Sequence, residues 1–382
     1  MAAPLKDFFD ERLARRIALS IKPVYADFPG DAFVAEATKG LAQLELLDRG
    51  KHFADALAKS LPSDYERAVD ILLRSVDVPL DKEGGSMSAF FYLPHVTLVS
   101  KWGLDHFDAS MRAQYVLTQK FSAEFSIRYF ILRDPGRTLA VLHSWTNDAN
   151  EHVRRLVSEG TRPRLPWAVR LPPFIQNPAP VLELLEKLRD DPALYVRRSV
   201  ANSLNDIAKD HPDLVVDVCG RWSQGASAER KWIIRHALRW LVKRGHVGAI
   251  QLLGGGTKPK VRIESIAITP NKVTLGSSVA MAFDLVSEAK KSQELVVDYV
   301  MHHPGATGKM RSKVFKLRRV KLEPQHRLRL EGRISLVDRT IRKHHPGLYR
   351  IDLRIGGTDF ALGSFEAVVA KTRSGKTKLA QA

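Results

Sequence analysis

The segment DPALYVRRSVANSLNDIAKDHPDLVVDV, residues 191–218, reads as one complete helix–turn–helix unit. Asp191-Pro192 opens it, and proline suits the first turn of a helix because its missing N–H would have no partner there. Val196, Val200, Leu204 and Ile207 follow in steps of four, four and three, which lays them on one helical face. His211-Pro212 then starts a second helix carrying Leu214, Val215 and Val218. A unit of about 40 residues built this way is the signature of a HEAT-like repeat.

An apolar residue followed by arginine in mid-helix tracks the repeat along the chain. Val153-Arg154, Val196-Arg197 and Ile234-Arg235 are spaced at the repeat period, whereas Ile127-Arg128 falls short of it, so the repeat is degenerate there. Such units stack into a solenoid whose concave face binds something large. Thr161-Arg162-Pro163-Arg164-Leu165-Pro166-Trp167 breaks the array with prolines beside that face, a place where a site is expected.

The pattern changes at Gly254-Gly255-Gly256-Thr257-Lys258-Pro259-Lys260, which cannot continue a helix cheaply. Beyond it, apolar and polar residues alternate in Val261–Ile263, Val279–Leu285, Leu295–Val300, Val314–Leu322, Leu328–Ile334, Tyr349–Ile355 and Phe365–Val369. Turns such as His303-Pro304-Gly305 separate them. The expected fold is an all-α HEAT-like helical repeat solenoid followed by an all-β immunoglobulin-like sandwich. The expected domains are residues 1–254, a linker at 255–260, a β-sandwich at 261–371 and a basic tail at 372–382.

Charge follows the same division. The net charge is +18, and residues 258–382 hold 25 basic against 11 acidic residues, leaving only +4 for the first 257. A polyanion is the natural partner for such a surface, because neutralising phosphates releases condensed counterions. No apolar run approaches the roughly 20 residues that span a bilayer, and no secretory h-region opens the chain. Cys219 is the only cysteine, which excludes an internal disulfide or a thiolate zinc cluster. A cytoplasmic, nucleoid-associated bacterial protein is expected.

Three helical stripes set carboxylates beside arginines: Glu124 with Arg128; Glu151, Arg155 and Glu159; and Arg198, Asn202 and Asp206. Spacings of four and eight share one helix face. Solvated surface ion pairs would account for any one of them, each worth at most about 1 kcal/mol. Their place in successive repeats is the ground for expecting them to converge on a single groove. Carboxylates so placed suit N-glycosidic cleavage, where an oxocarbenium-like sugar needs stabilising and a water needs orienting. Trp167 offers a π-face to a cationic base, though packing alone would equally explain it. His302-His303 and His344-His345 lack the partners of a metal site and read as loop histidines near phosphate. Gly254-Gly255-Gly256 is no phosphate loop, since no strand precedes it and no Gly-Lys-Ser/Thr follows. No cofactor motif is present.

The runs Phe91-Tyr92-Leu93-Pro94, Gly103-Leu104-Asp105-His106-Phe107-Asp108, Ala123-Glu124-Phe125-Ser126-Ile127-Arg128 and Ser158-Glu159-Gly160-Thr161-Arg162-Pro163-Arg164-Leu165-Pro166-Trp167 resemble the AlkC family of DNA glycosylases. That family is related to the AlkD glycosylases, and some members carry a C-terminal immunoglobulin-like domain. The resemblance covers about residues 1–255. It implies a monofunctional glycosylase that excises cationic N3-alkylated bases, such as 3-methyladenine and 3-methylcytosine, from duplex DNA. It also implies that the base stays largely stacked, which departs from the usual flipping of a target base.

Carried over by motif, Glu124, Glu159, Trp167 and Asp206 are the expected site residues. Asp206 and Glu124 would stabilise the cation and position water, Trp167 would meet the lesion nucleotide, and Glu159 would complete the pocket. DNA contacts are expected from Arg128, Arg155, Arg162, Arg164, Arg198, Arg235 and Arg239, with Trp232, Arg235, His236 and Arg239 read as one helix face. The loop from His302 and His303 to Lys309 is the expected β-domain contact, on a domain that clamps the duplex with Arg311, Lys313, Arg318 and Arg319 among its charges. The protein is expected to act as a monomer. The competing reading is a non-catalytic HEAT-repeat scaffold for nucleic acid or protein, which fold alone permits.

Overall fold

The computed structural model describes residues 4–78, 90–254, 259–338 and 343–369. The expected basic tail and most of the expected linker lie outside the described residues. The first compact unit comprises Met1–Val215 with Trp222–Ala237, and the second Val216–Arg221 with Leu238–Ala382.

The helices of the first half are α1 (Glu11–Ile21), α2 (Gly30–Thr38), α3 (Leu46–Ser60), α4 (Tyr65–Ser75), α5 (Leu93–Trp102), α6 (Phe107–Thr118), α7 (Ile127–Arg133) and α8 (Pro135–Trp145). They continue as α9 (Glu151–Gly160), α10 (Pro172–Gln176), α11 (Ala179–Leu188), α12 (Leu194–Ile207), α13 (Pro212–Ser223) and α14 (Ala228–Ala237). Their starts are written in the sequence. Asp10, Asp64 and Asp134 each accept a hydrogen bond from the N–H three residues on, at 2.9, 2.7 and 3.1 Å. Pro135, Pro172 and Pro212 open helices that need no N–H at that position.

The residues that track the repeat fall on α9, α12 and α14, which pack as neighbours, with Val153, Val196 and Ile234 all in the core. Around them Leu156, Val157, Val200, Leu204 and Ile207 are also buried. Each such side chain contributes about 1.5–3 kcal/mol by leaving water. The arginine after each valine also has a task. Asp148 and Asp191 each lie six residues before it, and each accepts the N–H two residues on, at 2.8 and 2.9 Å. Arg154 Nη1 donates to the carbonyls of Asp148 and Ala149 at 2.8 and 3.0 Å, and Arg197 Nη1 to those of Asp191 and Pro192 at 2.8 and 2.6 Å. The same hook therefore closes the loop before both helices. Arg154 also holds the Asp191 carboxylate through Nε and Nη2, at 2.6 and 3.0 Å, and so joins one loop to the next.

In the second unit α15 (Arg239–Lys243) and α16 (Val247–Leu252) precede the strands β1 (Val261–Thr269), β2 (Lys272–Thr274), β3 (Ser278–Ser287), β4 (Gln293–Pro304), β5 (Met310–Leu322), β6 (Arg327–Ser335), β7 (Gly347–Ile355) and β8 (Thr358–Val368). They form a three-stranded sheet in the order β1-β3-β6 and a five-stranded sheet in the order β2-β8-β7-β4-β5. Alternate residues fill the space between the sheets: Met281, Phe283 and Leu285 from β3, Leu295, Val297 and Met301 from β4, Ile351 and Leu353 from β7. This is the period-two pattern of a two-sheet sandwich. All seven expected strands are present. The three-residue β2, too short to show a period, is the addition.

No helix among the described residues is long and apolar enough to cross a membrane.

Candidate active site in the helical unit

A cavity of about 600 Å³ opens in the first unit, with Glu124, Arg155, Glu159, Arg162, Trp167 and Tyr195 among its walls. Glu124 reaches it from the turn before α7 and Glu159 from the last turn of α9. Arg162 and Trp167 come from the proline-broken segment that follows α9, and Tyr195 from the first turn of α12.

The carboxylates are joined through arginines. Arg155 Nη1 lies 2.7 Å from Glu124 Oε2 and also donates to Ser122 Oγ at 2.8 Å, while Ser122 donates to the same Oε2 at 2.7 Å. Arg155 Nη2 stands 3.7 Å from Glu159 Oε1, which accepts from Arg162 Nη1 at 2.5 Å. Arg162 Nε then donates to Asp206 Oδ2 at 2.8 Å, and Lys209 Nζ to Asp206 Oδ1 at 2.7 Å. Ser199 donates to Glu159 Oε2 at 2.7 Å. Glu124, Glu159 and Asp206, drawn from three separate stripes, thus meet in one network.

Burial opposes the charges on Arg155 and Arg162, but their carboxylate partners outweigh it and hold both guanidiniums above their ordinary range. A buried pair gains strength from the low dielectric around it, and losing one partner strands the other. Arg155 also lies over the Tyr195 ring at 4.7 Å, and burial pushes the Tyr195 hydroxyl pKa up.

Within this network the carboxylates are not equivalent. Asp206 is only 2% exposed, is bonded on both oxygens and is not among the residues on the cavity wall. Glu159 also accepts bonds on both oxygens. The bonds to Glu124 among the described residues all fall on Oε2. Trp167 is 70% exposed and stands at φ +66°, a left-handed backbone that a side chain with a Cβ adopts at a cost.

Several arginines expected to touch DNA have other work. Arg128 is fully buried, with Nε donating to Val169 O at 2.6 Å and Nη1 to Gly160 O and Arg162 O at 2.9 and 2.7 Å. Burial, reinforced by the nearby Arg162, pulls its pKa down to about 10. It is a structural clamp, out of reach of a phosphate. Arg155 and Arg162 are bound to carboxylates, and Arg164 is held by Asp210 through two bonds of 2.8 and 2.7 Å. Arg198 and Arg235 are exposed on α12 and α14. Trp232, Arg235 and His236 lie on α14, which ends at Ala237, and Arg239 opens the next helix.

The β-unit histidines also correct their reading. His302 and His303 lie in β4, which runs through to Pro304, whereas His344 and His345 stand in the loop before β7. His303 continues the inward series of β4 and stacks on Tyr349 with ring centroids 5.9 Å apart. The two ring nitrogens of His302 lie 2.8 Å from Asp352 Oδ2 and Ser312 Oγ. His344 is buried as well. Lys309 is exposed in the turn before β5. A smaller cavity of about 270 Å³ in this unit, with Asp298 and Arg354 on its wall, holds none of the expected residues.

Sequence reasoning missed Tyr195 and Ser199. Tyr195, Ser199, Asn202 and Asp206 step by four, three and four along α12, so the row that ends at Asp206 begins at the tyrosine and not at Arg198. A tyrosine just off an apolar face was the available signal.

A helical-repeat protein with a paired ionic site and an immunoglobulin-like C-terminal domain is the class these features define. A family model described as the C-terminal Ig-like domain of the uncharacterised protein YhaZ matches residues 262–369. YhaZ of Bacillus subtilis (strain 168) is 33% identical over 356 residues, which is 93% of this chain and 97% of its own length. The alkylpurine DNA glycosylase AlkC of Pseudomonas fluorescens, solved bound to DNA containing an abasic site analog, is 37% identical with a TM-score of 0.89, covering 96% of this chain and 100% of its own. The chain belongs to the AlkC family of helical-repeat DNA glycosylases.

Proposed function

We propose that this protein is a monofunctional DNA glycosylase that hydrolyses the N-glycosidic bond of cationic N3-alkylated bases, 3-methyladenine and 3-methylcytosine, in duplex DNA. The observation that carries this reading is that Glu124 and Glu159 line one cavity with Trp167 and are joined there, through Arg155 and Arg162, to the buried Asp206.

A base alkylated on a ring nitrogen leaves as a neutral molecule and needs little acid assistance. The demand falls on the sugar, which develops positive charge at C1′, and on the water that attacks it. Glu124, on the cavity wall, is the carboxylate placed to meet both, by electrostatic stabilisation and by orienting the water. Glu159 completes the wall, and Asp206 fixes Arg162 from behind. The exposed indole of Trp167 packs against the lesion nucleotide, where its π-face favours a cation. Access from the sugar side leaves the base largely stacked. The exposed cations Lys309, Arg311, Lys313, Arg318 and Arg319 of the β unit supply salt-dependent grip on phosphates, and a single copy of the chain serves one duplex.

The deciding experiment is release of free base from methylated duplex DNA by the purified protein, with Glu124→Gln and Asp206→Asn alongside. The expected result is release by the wild type and a loss of about 100- to 1000-fold in each variant, with DNA affinity retained. Tight, salt-sensitive binding with no release would leave a non-catalytic repeat scaffold.

A further inference from the structure

Arg128 has no part in the chemistry above, yet its guanidinium is sealed completely inside the helical unit. The three carbonyls it binds lie on either side of one loop: Gly160 and Arg162 at its entry, Val169 at its exit. A guanidinium is a rigid planar fork, so these bonds fix the two ends relative to each other as a flexible ammonium could not. Between them the chain carries Arg162, Arg164 and Trp167, and the Leu171 N–H closes it further by donating to Pro163 O at 3.2 Å. At its tip Trp167 keeps its left-handed backbone, a strain that persists only where the surroundings over-determine it. Arg128 Nη2 is buried and has no partner among the described residues. A buried ion is a poor source of stability, and one with an unpaired donor is poorer still. What the fork provides is geometry.

We propose that Arg128 is a positioning residue, which locks both ends of the Thr161–Val169 loop and so holds Trp167 in register with Glu124 and Glu159. The inference rests on the glycosylase reading and names the residue that sets the aim of its indole. Misplacing a contact by about 1 Å is enough to cost about 100-fold in rate.

The test is Arg128→Lys, which keeps the charge and loses the fork. Hydrogen–deuterium exchange of the amides in 161–170 is expected to accelerate while α12 is unchanged. The dissociation constant for a duplex with an abasic analogue should stay within about threefold of wild type, while single-turnover base release at saturating protein falls about 100-fold. In a Trp167→Ala background the same substitution should cost nothing further, because the two act as one unit. A loosened loop with a wild-type rate, or a penalty that adds fully to that of Trp167→Ala, overturns the proposal. Should Arg128→Lys not fold, one glycine inserted between Ala168 and Val169 shifts the exit carbonyl with Arg128 intact; the same rate loss is expected, and a folded insertion with the wild-type rate overturns the proposal. If the wild type itself releases no base, the glycosylase reading falls, and exchange of the loop alone decides whether Arg128 is its clamp.

Discussion

In the helical unit Arg128, Glu159, Arg162 and Asp206 are buried against one another or against backbone carbonyls, whereas along β5 of the second unit Arg311, Lys313, Arg318 and Arg319 all stand in solvent. The two regions use the same residue types for different physics. A buried charge must have a partner, so its position is dictated to a fraction of an ångström and it can serve a reaction. An exposed cation is screened and mobile, and contributes attraction at a distance with little demand on geometry.

The sharpest way to break this contrast is to strand the buried charges. Arg162→Met takes from Glu159 and Asp206 the buried cation they share, and is expected to destabilise the protein by about 3–5 kcal/mol, read from denaturant melts. Next comes acid. His95 is wholly buried, and burial, against a weaker pull from the Phe91 backbone, pushes its pKa down from 6.5 to about 4. Its folded-state pKa is the lower, so the unfolded chain binds the extra proton, and stability present above pH 6.5 is lost as pH falls toward 4. Melts at pH 7 and pH 4.5 should differ by about 2–3 kcal/mol from this group, and His95→Phe should flatten that part of the profile.

Trp167→Gly should act in the opposite direction. Relief of the left-handed backbone is expected to raise stability by about 1 kcal/mol while base release collapses, seen by melting the variant and assaying it side by side. The smallest effect on stability belongs to β5. Replacing Arg311, Arg318 and Arg319 together by glutamine should move stability by no more than about 0.5 kcal/mol per site. The slope of log affinity against log salt should nevertheless become shallower by about 0.9 for each phosphate contact removed.

The sequence was most legible where a period was at work. Val153, Val196 and Ile234 marked helices that do pack together, and alternation placed seven strands. Four-residue steps put Glu159 and Asp206 on helix faces in successive repeats, whereas Glu124, read the same way, stands in the turn before α7. What a period does not tell is which end of a long side chain is inside. Arg128 and Arg198 carry the same charge in similar stripes, and only the fold sends one into the core and leaves the other in water. For His303 the information was present and overruled: the inward series from Leu295 through Val297, Tyr299 and Met301 extends to it, but His303-Pro304-Gly305 looked like a turn that should end the strand earlier. Trp167 was noticed as an aromatic, while its backbone strain had no sequence signal.

The hook formed by Asp148 with Arg154, and again by Asp191 with Arg197, has a meaning for how this chain could be lengthened or shuffled. In both places the text is the same, Asp, four residues, Val, Arg, and the second aspartate receives the first arginine. The second copy is thus both lock for the module before it and key for its own loop. A duplicated module that carried this seven-residue tag would bring its own docking instructions, and one that lost the aspartate would arrive with nothing to tell it where to sit.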